Sequence, residues 1–68
     1  MKNHIKKHRE LMGLSQGDLA KTLNVSRQTI NSIENGKFDP SLPLAIKLTK
    51  FFSEPIDALF EFEEKFYK

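Results

Sequence analysis

The sequence predicts an all-α fold of five short helices, followed by a tail that fits either a short strand or a helix. Three observations predict it. Apolar residues recur at spacings of three and four, as in Leu19, Ala20 and Leu23 or Leu44, Ala45 and Leu48, which is the period of a helix. Ser15, Ser26 and Ser41 stand where a hydroxyl can cap the first turn of a following helix. Gly13, Asn24 and Gly36 stand at the opposite ends, where a left-handed residue can stop one.

The first helix is expected from Asn3 to Met12, with Ile5, Leu11 and Met12 on one face and Lys2, Lys6, Lys7 and Arg9 in water. Gly13 ends it. Ser15 opens the second, and Asp18 three residues later completes a capping box, with Leu19, Ala20 and Leu23 facing inward. Asn24 takes the left-handed turn and Val25 plugs it from inside. Ser26 caps the third helix, Arg27 to Asn35, whose apolar residues are only Ile30 and Ile33. Their spacing puts both on one stripe and leaves Arg27, Gln28, Asn31 and Ser32 pointing elsewhere. Asn35-Gly36 would suit a hairpin, but the residues before it have helical period, so Gly36 reads as a helix stop.

Lys37 to Pro40 forms a loop. Ser41 caps the fourth helix, where the early Pro43 lacks an N–H that the first turn does not need. Leu44, Ala45, Leu48 and Phe51 or Phe52 are its buried side. Pro55 opens a short fifth helix containing Ile56, Leu59 and Phe60. Beyond it, Phe60-Glu61-Phe62-Glu63 alternates like a strand, while Phe62 stacked on Phe66 would suit a helix.

With 68 residues the chain makes one domain, taken as residues 1–60 with residues 61–68 as an acidic and aromatic tail. Its hydrophobic fraction of 38% and charged fraction of 29% fit a folded domain rather than a disordered chain. No cysteine is present, which excludes disulfides and thiolate metal sites. There is no apolar run near the roughly 20 residues of a membrane span, and no secretory signal, so a cytoplasmic location is expected. Charge is uneven. Residues 1–53 hold nine Lys or Arg against four acids, and residues 54–68 hold two Lys against five acids. A basic body with an acidic tail suits a chain that meets phosphate with one end.

No nucleophile has a neighbouring base and orienting group, and no glycine-rich loop cradles phosphate, so an enzyme is not expected. His4 and His8 share a helix face but have no third ligand at a suitable spacing, so neither metal nor cofactor is expected.

Two helices around a short turn, with polar residues exposed on the second, form a device for placing a helix in the major groove of DNA. Residues 3–60 resemble the helix-turn-helix domains of the Xre type, the lambda-repressor-like class that includes phage repressors and Cro. The resemblance lies in Gln16, Leu19-Ala20, Val25, Ser26, Ile30, Ile33, Glu34, Asn35-Gly36-Lys37 and Pro40-Ser41-Leu42. It departs at Asn24, where the family often has Gly. It implies a five-helix domain that binds operator DNA as a homodimer, in the manner of small members without a sensing domain.

Gln28 is the leading base-reading candidate, because its amide can pair with adenine through two hydrogen bonds. Arg27 can pair in the same way with guanine or clamp a phosphate. Asn31 and Ser32 face the same groove one turn on. Ser26 and Thr29 are placed to hold phosphates or to cap the helix. Gln16, at a helix start, can receive a phosphate together with exposed backbone N–H groups. The resemblance adds Asn35 and Lys37 as contacts to flanking phosphates, and pairs Arg9 with Glu34 as a partly buried ion pair between the first and third helices. Ala20 is small where the second and third helices cross.

Phe60, Phe62, Phe66 and Tyr67 crowd four of the seven aromatics into the last nine residues. Phe62 is expected at a two-fold dimer interface, supported by Leu59 and Phe60, although Phe60 could instead complete the core. The reading is therefore a transcriptional regulator, a repressor, binding a pseudo-palindromic operator as a homodimer through Arg27–Asn35. The alternative is an antitoxin that neutralises a partner protein and binds DNA to regulate itself.

Overall fold

Three of the helices start where a serine hydroxyl meets a backbone N–H. Ser15 Oγ accepts from the Asp18 N–H at 3.0 Å, Ser26 Oγ from Thr29 at 3.0 Å and Ser41 Oγ from Leu44 at 3.3 Å. The computed structural model describes residues 1–62. In order, these form β1 (Lys2–Asn3), α1 (Ile5–Leu11), α2 (Gln16–Leu23), α3 (Arg27–Glu34), α4 (Leu42–Phe52), α5 (Ile56–Leu59) and β2 (Phe60–Glu61). Asn24 closes α2 in the left-handed region with φ 58°, as expected.

The capping box at α2 is complete, because the Asp18 carboxylate also accepts from the Ser15 N–H at 3.0 Å. The Ser15 backbone N–H, then the Ser15 hydroxyl, hold the Asp18 carboxyl below its ordinary value of 3.8. A carboxylate lowered by folding stabilises the fold fully above that ordinary value and ceases to as pH falls through the lower folded one. Asp18→Ala is expected to lower the melting temperature near neutral pH, with the gap to the wild type closing in acid. A gap unchanged by acid would show that the carboxylate does not carry the cap.

The core is made by Ile5 from α1, Leu19, Ala20 and Leu23 from α2, Ile30 and Ile33 from α3, Leu44, Leu48 and Phe52 from α4, and Leu59 with Phe60. Val25 and Phe51 pack against it. Ala20 is 3% exposed, so a larger side chain there would overpack the interior.

Two expectations about the first helix are corrected. It starts at Ile5 rather than Asn3, because Lys2 and Asn3 pair antiparallel with Glu61 and Phe60. Leu11 and Met12 are 76% and 51% exposed rather than buried. Leu11 lies about 240° round the helix from Ile5, and Met12 lies past the helix end, where Gly13 turns the chain with φ 71°. The second inward position of α1 belongs to Arg9.

At the other end, Ile56 is 50% exposed and only Leu59 of α5 is buried. Phe60 begins the strand, which fits the alternating reading of the tail. Phe66 and Tyr67 lie outside the described residues. Among the described residues no helix is long and apolar enough to cross a membrane.

Candidate nucleic-acid interface

The α3 helix shows its two faces plainly. Ile30 and Ile33 are 0% and 1% exposed, and Arg27, Gln28 and Asn31 are exposed. The helix is anchored below by Glu34, whose side chain is 3% exposed. Arg9 Nε donates to Glu34 Oε2 at 2.7 Å and Arg9 Nη2 to Oε1 at 3.1 Å, a paired fork that joins α1 to α3. Arg9 Nη1 also donates to the Leu14 carbonyl at 2.8 Å. The hydrogen bond to Glu34, outweighing desolvation, raises the guanidinium above its ordinary value.

From this ion pair a chain of amides climbs to the surface. Gln16 Nε2 donates to Glu34 Oε1 at 3.0 Å, Asn31 Nδ2 donates to Gln16 Oε1 at 3.4 Å, and Asn35 Nδ2 donates to Asn31 Oδ1 at 2.8 Å. Gln16 is thereby half-buried and held in one orientation, with its second Nε2 hydrogen left for a ligand. Asn31 uses both ends of its amide within the chain. It can offer one N–H outward, but not a full pair to a base without breaking these bonds.

Arg27 and Gln28 are placed differently. Among the described residues neither side chain makes a hydrogen bond or ion pair, so both are available at the exposed start of α3. Ser26 caps the helix, and its hydroxyl lies 2.8 Å from Thr29 Oγ1, which ties those two residues to each other. The cap therefore accounts for both. Arg27 also faces the start of α2 across a cleft lined by Arg9, Ser15, Gln16 and Gly17. A cation beside first-turn backbone N–H groups is suited to an anion.

A second cleft is lined by Ser26, Gln28, Thr29, Ser32 and Phe38. Phe38 was not among the residues expected there. It belongs to the loop after α3, and the available signal was a large aromatic in an otherwise polar loop. Lys37 is exposed in the same loop, whose backbone is tied back to α3 through the Lys37 and Phe38 N–H groups on the Ser32 carbonyl. The far end of α3 is also held by Asn3, which donates from Nδ2 to the Ile33 carbonyl at 2.7 Å. This brace comes from β1.

Beside the loop runs an apolar groove of about 420 Å³, lined by Pro40, Leu42, Ala45, Ile56, Phe60 and Phe62 among others. Leu42 and Phe62 are 69% and 55% exposed. Leu59 and Phe60, by contrast, are 0% and 7% exposed, so they lie in the core of the single chain and can only support an interface from beneath.

His4 and His8 have separate partners. His4 Nε2 lies 2.8 Å from Glu61 Oε2 across the strand pair, and His8 Nδ1 donates to the His4 carbonyl at 2.9 Å.

The helix-turn-helix family model matches residues 5–59. An uncharacterized HTH-type transcriptional regulator of Methanocaldococcus jannaschii is 56% identical over 64 residues, which cover 94% of this chain and 97% of that one. Another from Bacillus subtilis is 45% identical over 65 residues, covering 96% of this chain and 98% of its own length. A third, from Archaeoglobus fulgidus, is 40% identical over 65 residues, covering 96% and 92%. The matched span runs from the buried Ile5 of α1 to the buried Leu59 of α5, and the chain belongs to the helix-turn-helix family.

Proposed function

We propose that this chain is a sequence-specific transcriptional regulator, a repressor that binds a pseudo-palindromic operator as a homodimer. The recognition element is α3 with its cap, Arg27–Asn35. One observation carries the reading: α3 has an exposed polar side with Arg27 and Gln28 unengaged, while its other side is locked to the core and to Arg9 through Glu34. A rigid helix with uncommitted donors at its start is suited to base edges in the major groove. The relatives named as transcriptional regulators support the same reading.

Gln28 reads adenine, and Arg27 contacts guanine or the phosphate that Gln16 and the start of α2 also approach. Ser32 lies one turn on. Asn31 positions Gln16 and Asn35 and adds one N–H. Asn35 and Lys37 hold the flanking backbone. Repression then needs only occupancy, since bound protein excludes other proteins from the DNA that it covers.

The apolar groove is the surface for the second copy, with Phe62 at the contact and Leu59 and Phe60 beneath it. Asp39 and Pro40, in the loop that borders α3, line one part of this groove. A two-fold pair formed there must present both recognition helices on one side, as half-sites about 34 Å apart require. Phe62→Glu is expected to halve the mass in solution, read by light scattering or sedimentation. An unchanged mass would remove this groove as the interface.

Selection of bound duplexes from a random DNA pool tests the whole reading. An enriched inverted repeat is the expected result. No enrichment by folded protein would overturn it and turn attention to a partner protein in the groove, as an antitoxin would have.

A further inference from the structure

We propose that Phe38 is a specificity-determining residue that seats its ring against the 5-methyl group of a thymine in the major groove. The inference rests on α3 being the reading helix and adds a residue outside that helix.

Phe38 is 47% exposed and takes no part in the hydrophobic core. An aromatic ring left in water is unremarkable by itself. Its place is the informative part. The ring shares a cleft with Gln28 and Ser32 on the reading side of α3. Its backbone is fixed there, because the Phe38 N–H donates to the Ser32 carbonyl at 3.2 Å and the Lys37 N–H to the same oxygen at 3.0 Å. Gly36 permits this return with φ 73°. The Met1 ammonium also donates to the Gly36 carbonyl at 3.3 Å, which ties the loop to the start of the chain.

Among the base edges of the major groove, the thymine 5-methyl is the apolar feature; the rest are hydrogen-bond donors and acceptors. A ring beside an amide that reads adenine can sense the methyl of a thymine in the same or a neighbouring pair. The deoxyribose is the other apolar surface of DNA, and Lys37 next to the ring is placed for the adjoining backbone; the ring's place in one cleft with the Gln28 amide favours the methyl.

The test uses the duplex selected from the random pool, with each thymine replaced singly by deoxyuridine, which removes the methyl and leaves the base pair intact. Binding by wild type, Phe38→Ala and Phe38→Leu is measured by titration, with each fold checked by its melting curve. At one thymine of each half-site, the single replacement is expected to weaken the wild type about fourfold, the worth of one buried methyl. Phe38→Ala is expected to bind thymine and uracil duplexes alike, and Phe38→Leu to keep part of the difference. Wild-type binding indifferent to every replacement overturns the proposal, with or without a folded alanine variant. So does an alanine variant that weakens all duplexes while keeping the full methyl effect, since the ring would then lie on the backbone. Failure to enrich any duplex overturns the function beneath it as well. An enriched repeat without a methyl effect overturns the role of Phe38 alone.

Discussion

Glu34→Ala is expected to destabilise the fold by about 3–5 kcal/mol, because it leaves a buried guanidinium without its counter-charge. The Arg9 side chain is 9% exposed and occupies an inward position of α1 that an apolar residue would otherwise fill. Its Nε and Nη2 donors both terminate on Glu34, and the Leu14 carbonyl satisfies only Nη1. Only an edge of the side chain meets the cleft beside Ser15 and Gln16, so most of the stranded charge is not rehydrated without opening the packing between α1 and α3. Domains of this size melt about 4–8 °C lower for each kcal/mol lost. A thermal scan by circular dichroism should therefore show a fall of tens of degrees, or no cooperative transition. A change of only a few degrees would mean that the pair is not buried in solution.

The same pair also orients Gln16, Asn31 and Asn35 on the proposed reading surface, and this role separates from stability. Arg9→Met combined with Glu34→Leu replaces two charges by apolar groups of similar volume and should recover most of the lost stability. It cannot recover the acceptor for Gln16 Nε2, the first link in the chain from Glu34 through Gln16 to Asn31 and Asn35. The double variant is thus expected to fold nearly as well as wild type and bind DNA less tightly.

What could be read from the residues, and what could not, divides along the range of the interactions. The caps at Ser15, Ser26 and Ser41 and the left-handed turn at Asn24 are set by neighbours within a turn, and all lie where the local chemistry placed them. The apolar stripe of α3 follows from two residues three apart. The second strand is offered by the alternation from Phe60 to Glu63, but the first and its pairing are not legible, because Lys2 finds Glu61 from the far end of the described chain and Lys2–Asn3 alone has no period. The brace from Asn3 to the end of α3 was lost with it. Leu11 is exposed because it lies on the side of α1 away from Ile5, and Met12 because a helix of seven residues ends before that position returns to the inner face. Ser53 takes φ 53° after α4, and nothing in its side chain announces a left-handed residue.

For the candidate site, Arg27, Gln28, Asn31 and Ser32 were legible as the residues left over by the buried stripe. The union of Arg9 with Glu34 came only from family resemblance, since 25 residues separate them and neither is marked by its surroundings in the chain. Phe38 is not legible in the sequence, because its meaning comes from the return of the loop onto Ser32.

Gln28→Ala and Lys37→Ala should fail in different ways, and the contrast tests how α3 works. Both residues are exposed, so neither change should disturb the fold. Gln28 sits at the start of α3 with its amide unengaged, and a bidentate contact to adenine is worth about 1–3 kcal/mol of discrimination. Its loss should flatten the preference at one base step of each half-site. Affinity for mismatched duplexes should change little, and the salt dependence should stay the same. Lys37 lies in the loop beyond the end of α3, where its ammonium contributes charge but no base reading. Its loss should weaken every duplex alike and reduce the log–log salt slope by about 0.9 for each phosphate released. For a two-fold pair that is about twice as much per operator, measured from titrations at several salt concentrations. If instead both variants weaken all sequences equally, with matching changes in slope, then Gln28 is only another backbone contact. Base reading would in that case have to come from Arg27, Ser32 and the ring of Phe38.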